Sequence, residues 1–169
     1  MGLGFELAES MTGTYHLFRD PLADRVLRVT LRLAVDGLRR FARHRTLRAD
    51  GAIVAEGLAE NGGAGRSITG AVLWKLFDEK RVPYALSFKG DDERTYHLRG
   101  QRDFFAHDAA YSLTSMAASL YDERELEIGR ATLRFEPRVE LPALLKTFRP
   151  RLRLRGRAAQ DARSSRLEE

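Results

Sequence analysis

The amino-acid sequence predicts a mainly β protein, an internally duplicated antiparallel barrel with two short helices. Three observations lead there. Residues 26–35 alternate, with Leu27, Val29, Leu31, Leu33 and Val35 on one face and Arg28, Thr30, Arg32 and Ala34 on the other. That is the period of a half-buried antiparallel strand. A shift of 102 positions then lays residues 8–33 over 110–135 without a gap, and eight of the 26 positions are identical, including Ser10/Ser112, Asp20/Asp122, Arg28/Arg130 and Leu31/Leu133. Two copies so far apart suit a duplicated β domain and not a solenoid. Finally, turn-forming clusters punctuate the chain at hairpin spacing: Gly62-Gly63, Asp78-Glu79 ahead of Pro83, Gly90-Asp91-Asp92 and Asp122-Glu123-Arg124.

The elements follow in order. Strands are expected at 5–16, 26–35, 46–58, 68–77, 84–90, 94–101, 112–121 and 128–135. In the second copy Ala131, Leu133 and Phe135 oppose Arg130, Thr132 and Arg134, as their counterparts do in the first. The hairpin 84–99 is the best defined, because Tyr84, Leu86 and Phe88 face Tyr96 and Leu98 across its turn. A short helix is expected after each repeated strand. Asp36 would cap one carrying Leu38, Phe41 and Ala42. Glu140 or its neighbours would start another, with Pro142 in its first turn and Leu141, Leu144, Leu145 and Phe148 as its apolar stripe. Eight or nine strands close most simply into a calycin- or lipocalin-like barrel, which removes exposed edges. Such a barrel either fills with side chains or holds one small ligand, and the sequence leaves both open. Residues 1–155 form the one expected domain, with 156–169 as a flexible basic tail.

Composition narrows the class. At 169 residues, 43% hydrophobic and 31% charged, the chain has enough apolar material for one core. No apolar run approaches the roughly 18–20 residues of a membrane helix, and the first ten residues lack a basic n-region. Without cysteine, disulfides and thiolate chemistry are excluded. A cytoplasmic protein is the expectation. The formal charge of +5 is localised: residues 149–166 carry seven arginines against Asp161, a net +6, which leaves −1 for the rest. A nucleic-acid-binding domain spreads basic residues over its working face, so this distribution weighs against that partner. Arg149–Gly156 reads as a last strand with a solvated arginine face, or as a basic arm in which Arg149–Arg157 meets an anionic membrane surface.

Motifs for chemistry are sparse. His16, His44, His97 and His107 show no metal-ligand spacing. Asp103, His107 and Asp108 could form an acid–base cluster, but such a group is more often a polar turn. Gly62-Gly63-Ala64-Gly65-Arg66-Ser67 lacks the Gly-Lys-Ser/Thr ending of a phosphate loop and reads as a hairpin connection. No catalytic residue, metal or cofactor is assigned. The aromatic residues Trp74, Phe77, Tyr84, Phe88, Tyr96, Phe104 and Phe105 concentrate in the middle third. On strands they usually fill a core; alternatively Trp74, Tyr84, Phe88 and Tyr96 line an apolar cavity, with Glu9, Tyr15 and Arg102 as its polar groups.

Several stretches resemble a β domain attached to bacterial GMC-type, cholesterol-oxidase-like oxidoreductases. They are Phe5-Glu6-Leu7-Ala8-Glu9-Ser10-Met11-Thr12-Gly13, Tyr84-Ala85-Leu86-Ser87-Phe88, Tyr96-His97-Leu98-Arg99-Gly100-Gln101-Arg102-Asp103, and the run from Ser112 through Ile128-Gly129-Arg130-Ala131-Thr132-Leu133. In that family the flavin and the oxidase site belong to another domain, so no catalytic residue is carried over. The resemblance implies an accessory module near sterol or lipid chemistry, with an oxidoreductase as partner. The leading expectation is therefore non-enzymatic binding of a hydrophobic small molecule, a lipid or sterol, in a barrel cavity. A filled barrel serving as a protein-interaction module, and a barrel-cavity isomerase or cyclase with an Asp or Glu base, stand as alternatives.

Overall fold

The computed structural model describes residues 3–35, 37–75, 78–103, 114–135 and 151–152. Its strands are β1 (Leu3–Leu17), β2 (Asp20–Val35), β3 (Thr46–Ala55), β4 (Arg66–Leu73), β5 (Arg81–Lys89), β6 (Thr95–Asp103), β7 (Ser115–Tyr121), β8 (Glu127–Phe135) and the two-residue β9 (Arg151–Leu152). One helix, α1 (Leu38–His44), joins β2 to β3, and a single 3-10 turn at Asn61–Gly63 joins β3 to β4. Neighbouring strands from β1 to β8 pair antiparallel in chain order. β1 pairs with β2 on one side and with β8 on the other, which closes an eight-stranded barrel. β9 adds to the start of β1 through Leu3–Leu152 and Gly4–Arg151. No helix among the described residues is long and apolar enough to cross a membrane.

Alternation does most of the folding. Leu27, Val29, Leu31, Leu33 and Val35 are all buried, while Arg28, Thr30 and Arg32 are exposed. Each buried aliphatic side chain of this kind contributes roughly 1.5–3 kcal/mol. The expected β5–β6 hairpin forms in the expected register, Phe88 opposite Tyr96 and Leu86 opposite Leu98. Closure needs close strand approach at glycine. A Cβ on Gly13 would lie 1.9 Å from the Thr132 carbonyl oxygen, and one on Gly51 1.9 Å from that of Thr30.

The β5–β6 and β7–β8 turns share one construction. Gly90 N–H donates to the Arg94 carbonyl and Asp122 N–H to that of Leu126, with Glu93 and Glu125 at φ of 62°. This is a three-residue hairpin loop with its left-handed position occupied by glutamate. Asp92 Oδ1 accepts from Arg94 N–H, and Asp122 Oδ1 from Arg124 and Leu126 N–H.

The structure alters several expectations. The ungapped repeat keeps its phase over the second strands, where Leu31 and Leu133 are both buried. It loses phase over the first strands, where buried Tyr15 aligns with exposed Ala117. The two hairpins are unequal: Leu17 pairs with Asp20 across a tight turn, Tyr121 with Glu127 across a longer one. An odd offset reverses the faces of a strand. The first helix has Gly37 at its N-cap with no side-chain cap hydrogen bond; Asp36 lies outside the described residues. Phe41 is its half-buried contact and Ala42 is exposed. β4 ends at Leu73, so Trp74 follows the strand. The expected second helix, the tail 156–169, and Phe77, Phe104, Phe105, His107 and Asp108 also lie outside the described residues.

Candidate functional site

Inward parity on β1 and β6 places two charges inside the barrel. On β1, Met11, Tyr15 and Leu17 point inward, and Glu9 shares their face. On β6, Tyr96 and Leu98 are inward and Arg102 continues the alternation. Glu9 is only 8% exposed, the sole charged residue among the buried described ones. The Arg102 side chain retains 12% exposure.

Tyr84, from β5, stands between them. Its hydroxyl donates to Glu9 Oε2 at 3.0 Å and accepts from Arg102 Nη2 at 2.8 Å. The direct Arg102–Glu9 separation is 3.5 Å, longer than the 2.7–2.9 Å of a strong charge-assisted hydrogen bond. The guanidinium lies instead against Phe135, its carbon 3.4 Å from the ring centroid, in a cation–π contact. Arg102 Nε is buried and has no hydrogen-bond partner among the described residues. A buried donor without an acceptor costs about 1–3 kcal/mol unless something else meets it.

Burial holds the Glu9 carboxyl above the usual carboxylate range, against the opposing pull of Arg102 and of the Tyr84 and Arg102 hydrogen bonds. The cluster thus offers a cation whose Nε has no partner among the described residues, a buried acid and an aromatic shelf.

The remaining expected site residues lie apart from this cluster. Tyr15 sits toward the other end of the barrel, where its hydroxyl donates to the Glu56 carbonyl at 2.5 Å. Phe88 and Tyr96 stack at 5.7 Å and 26°. Tyr96 also donates to Asp92 at 2.8 Å, and burial, then that bond, push its hydroxyl up to about 12. Trp74 packs half-buried against the core. Tyr15 and Phe88, with Leu27, Ile53, Leu98, Leu120 and their neighbours, surround a void of only about 10 Å³ with no polar lining. That is at the threshold for one water, and an apolar void of this size stays dry. Tyr96 instead lines an open depression of about 320 Å³ at the barrel mouth, beside Phe18, Leu58, Arg94 and Ile128.

Other groups settle into structural roles. His97 Nδ1 bonds Ser87 Oγ at 2.8 Å. Asp103 accepts from Gln101 Nε2 at 2.5 Å. The glycine-rich segment is the β3–β4 connection, tied down by Asp91, which accepts from the Glu60 and Asn61 N–H groups and from Arg66. Among the described residues no group of three His, Asp or Glu side chains could hold a metal ion. Phe135 was missed as a site residue. Its signal was inward parity on β8 beside the strand that carries Glu9.

No family model, curated protein or solved structure matches this chain.

Proposed function

We propose that the barrel binds an amphipathic small molecule of the lipid or sterol class at its Glu9 end, its polar group meeting Arg102 and Tyr84. The observation that carries this reading is the buried Nε of Arg102, which has no partner among the described residues and lies beside Glu9, Tyr84 and the Phe135 ring. The interior around Tyr15 is filled, so this reading assigns the ligand to the Glu9 end. Apolar surface would supply roughly 25 cal/mol per Å² buried, and the guanidinium would fix orientation. The short stretches within residues 5–148 that resemble the accessory domain of cholesterol-oxidase-like enzymes would, on this reading, point to sterols and lipids and to an oxidoreductase as partner. A raised carboxylate beside a tyrosine would equally suit an isomerase base; binding needs fewer assumptions.

Native mass spectrometry after incubation with oleate and with cholesterol tests this. A one-to-one adduct is expected, weakened at least about tenfold in Arg102→Met, the loss of one charge-assisted contact. Unliganded protein at every ligand concentration would overturn it.

A second reading, a protein-interaction module, draws on a different observation. Phe18, Leu22, Val26 and Leu126 are exposed large apolar side chains, Leu22 at 97%. They belong to the β1–β2 and β7–β8 hairpins. Concentration-dependent self-association, abolished by Leu22→Ser with Phe18→Ser, would favour it.

A further inference from the structure

The connection from β2 to β3 carries a charge that the near-neutral average of the domain hides. Between Asp36 and Asp50 the chain holds five arginines, at 39, 40, 43, 45 and 48, together with His44 and no acid. α1 and the adjoining ends of β2, β3 and β4 enclose a groove of about 460 Å³. Arg40, His44 and Arg48 line it with Phe41, Ala34 and Ala71, and no acidic residue lines it among the described residues.

The construction has a basic rim and an apolar floor. Arg48 pairs with Ala34 on one side and with Ala71 on the other, so two small side chains leave room beside a long cationic one. Ala34 is buried although it follows the outward parity of β2. Two acids of the adjoining segments pair with other arginines, Asp78 with Arg45 at 2.5 Å and Asp50 with Arg32 at 2.9 Å. The volume falls within the roughly 300–1,000 Å³ of small-molecule sites. Its concavity suits a discrete ligand better than a flat bilayer. Guanidinium forks match phosphate oxygens in pairs, while Phe41 and the alanines accept apolar surface.

We propose that this groove is a second binding site, for a small phosphate monoester with an apolar or aromatic body. The phosphate engages Arg40 and Arg48, and the body lies against Phe41. The site is on the outside of the barrel and does not depend on the ligand proposed for the Glu9 end.

The test is an amide chemical-shift titration of the full chain with phenyl phosphate, inorganic phosphate, and phosphatidylcholine vesicles with and without phosphatidylserine. Saturable shifts at Phe41, Arg48 and Ala71 are expected, tighter for phenyl phosphate than for inorganic phosphate. Arg40→Gln, on the exposed helix surface, should weaken phenyl phosphate about tenfold, and Arg48→Gln similarly. Arg134→Gln, an exposed arginine on β8, should change nothing. Absence of shifts overturns the proposal, as does equal binding of inorganic phosphate. Binding that survives the Arg40→Gln, Arg48→Gln double variant overturns it in favour of another basic segment. A response to phosphatidylserine vesicles alone overturns it in favour of a membrane contact.

Discussion

The two ends of the barrel interior are built on opposite terms. Around Tyr15, Phe88 and Leu98 the side chains leave about 10 Å³, and the tyrosine hydroxyl is satisfied by a backbone carbonyl. Around Glu9, Tyr84 and Arg102 a buried carboxyl meets a largely covered guanidinium, whose Nε finds no partner among the described residues. The same eight strands supply both ends, so the difference lies in which residues take the inward positions. A filled end stabilises the closed sheet. A polar end costs stability, and proteins retain such costs where a function uses them.

The sharpest way to break this comparison is to open the dry end. Leu98→Ala, at a residue 1% exposed, should cost about 3–4 kcal/mol in urea unfolding, the range for a buried leucine that leaves a cavity. That cost should not vary with pH between acid and neutral. At the polar end, Arg102→Met strands a buried carboxylate. We expect a loss of about 2–3 kcal/mol at alkaline pH, below the full cost of breaking a buried pair because the Tyr84 hydroxyl still donates to Glu9. The loss should shrink in acid. A loss equal at acid and alkaline pH would mean that Glu9 is not the group Arg102 serves.

Glu9→Gln isolates the proton. A carboxyl held above its ordinary 4.5 in the folded chain binds more protons than it does unfolded. Its contribution is therefore complete below about 4.5 and is lost as pH rises through the folded value. The native protein should lose stability over that climb, and the Glu9→Gln variant should lose less. Parallel pH profiles for the two proteins would refute a raised Glu9. The smallest effect belongs to the outer surface: Arg32→Gln removes pairs to Asp50 and Glu6. Its side chain is more than half exposed, so the unfolding midpoint should not move measurably.

Much of the fold was legible because a two-residue period states which face is buried. Residues 26–35 declared their inner face without help, and the 84–99 hairpin declared its register. The expected repeat is matched in phase only by β2 and β8; a gapless shift cannot see that one hairpin turns tightly and the other through Asp122–Leu126. The polar cluster was half visible: Glu9 and Arg102 were charges at candidate strand positions. That Tyr84 bridges them, and that Phe135 lies beneath the guanidinium, depends on how strands wrap around a barrel. Whether the interior was hollow depends on summed side-chain volumes across eight strands. The basic run at 39–48 was readable but was averaged away when charge was counted by domain.

The closing seam has a consequence for synthesis. Tyr15 pairs with Ala131, 116 positions later in the chain. β1 leaves the ribosome before β8, and one of its two edges has no partner until β8 has emerged. Nascent chains therefore expose an open sheet with a long apolar inner face for most of translation, and pairing so distant in sequence forms slowly. An edge waiting in that state is a template for the wrong strand. Any chain halted before Phe135 would carry that edge permanently, which makes completion of β8 the step on which safe folding of the whole domain turns.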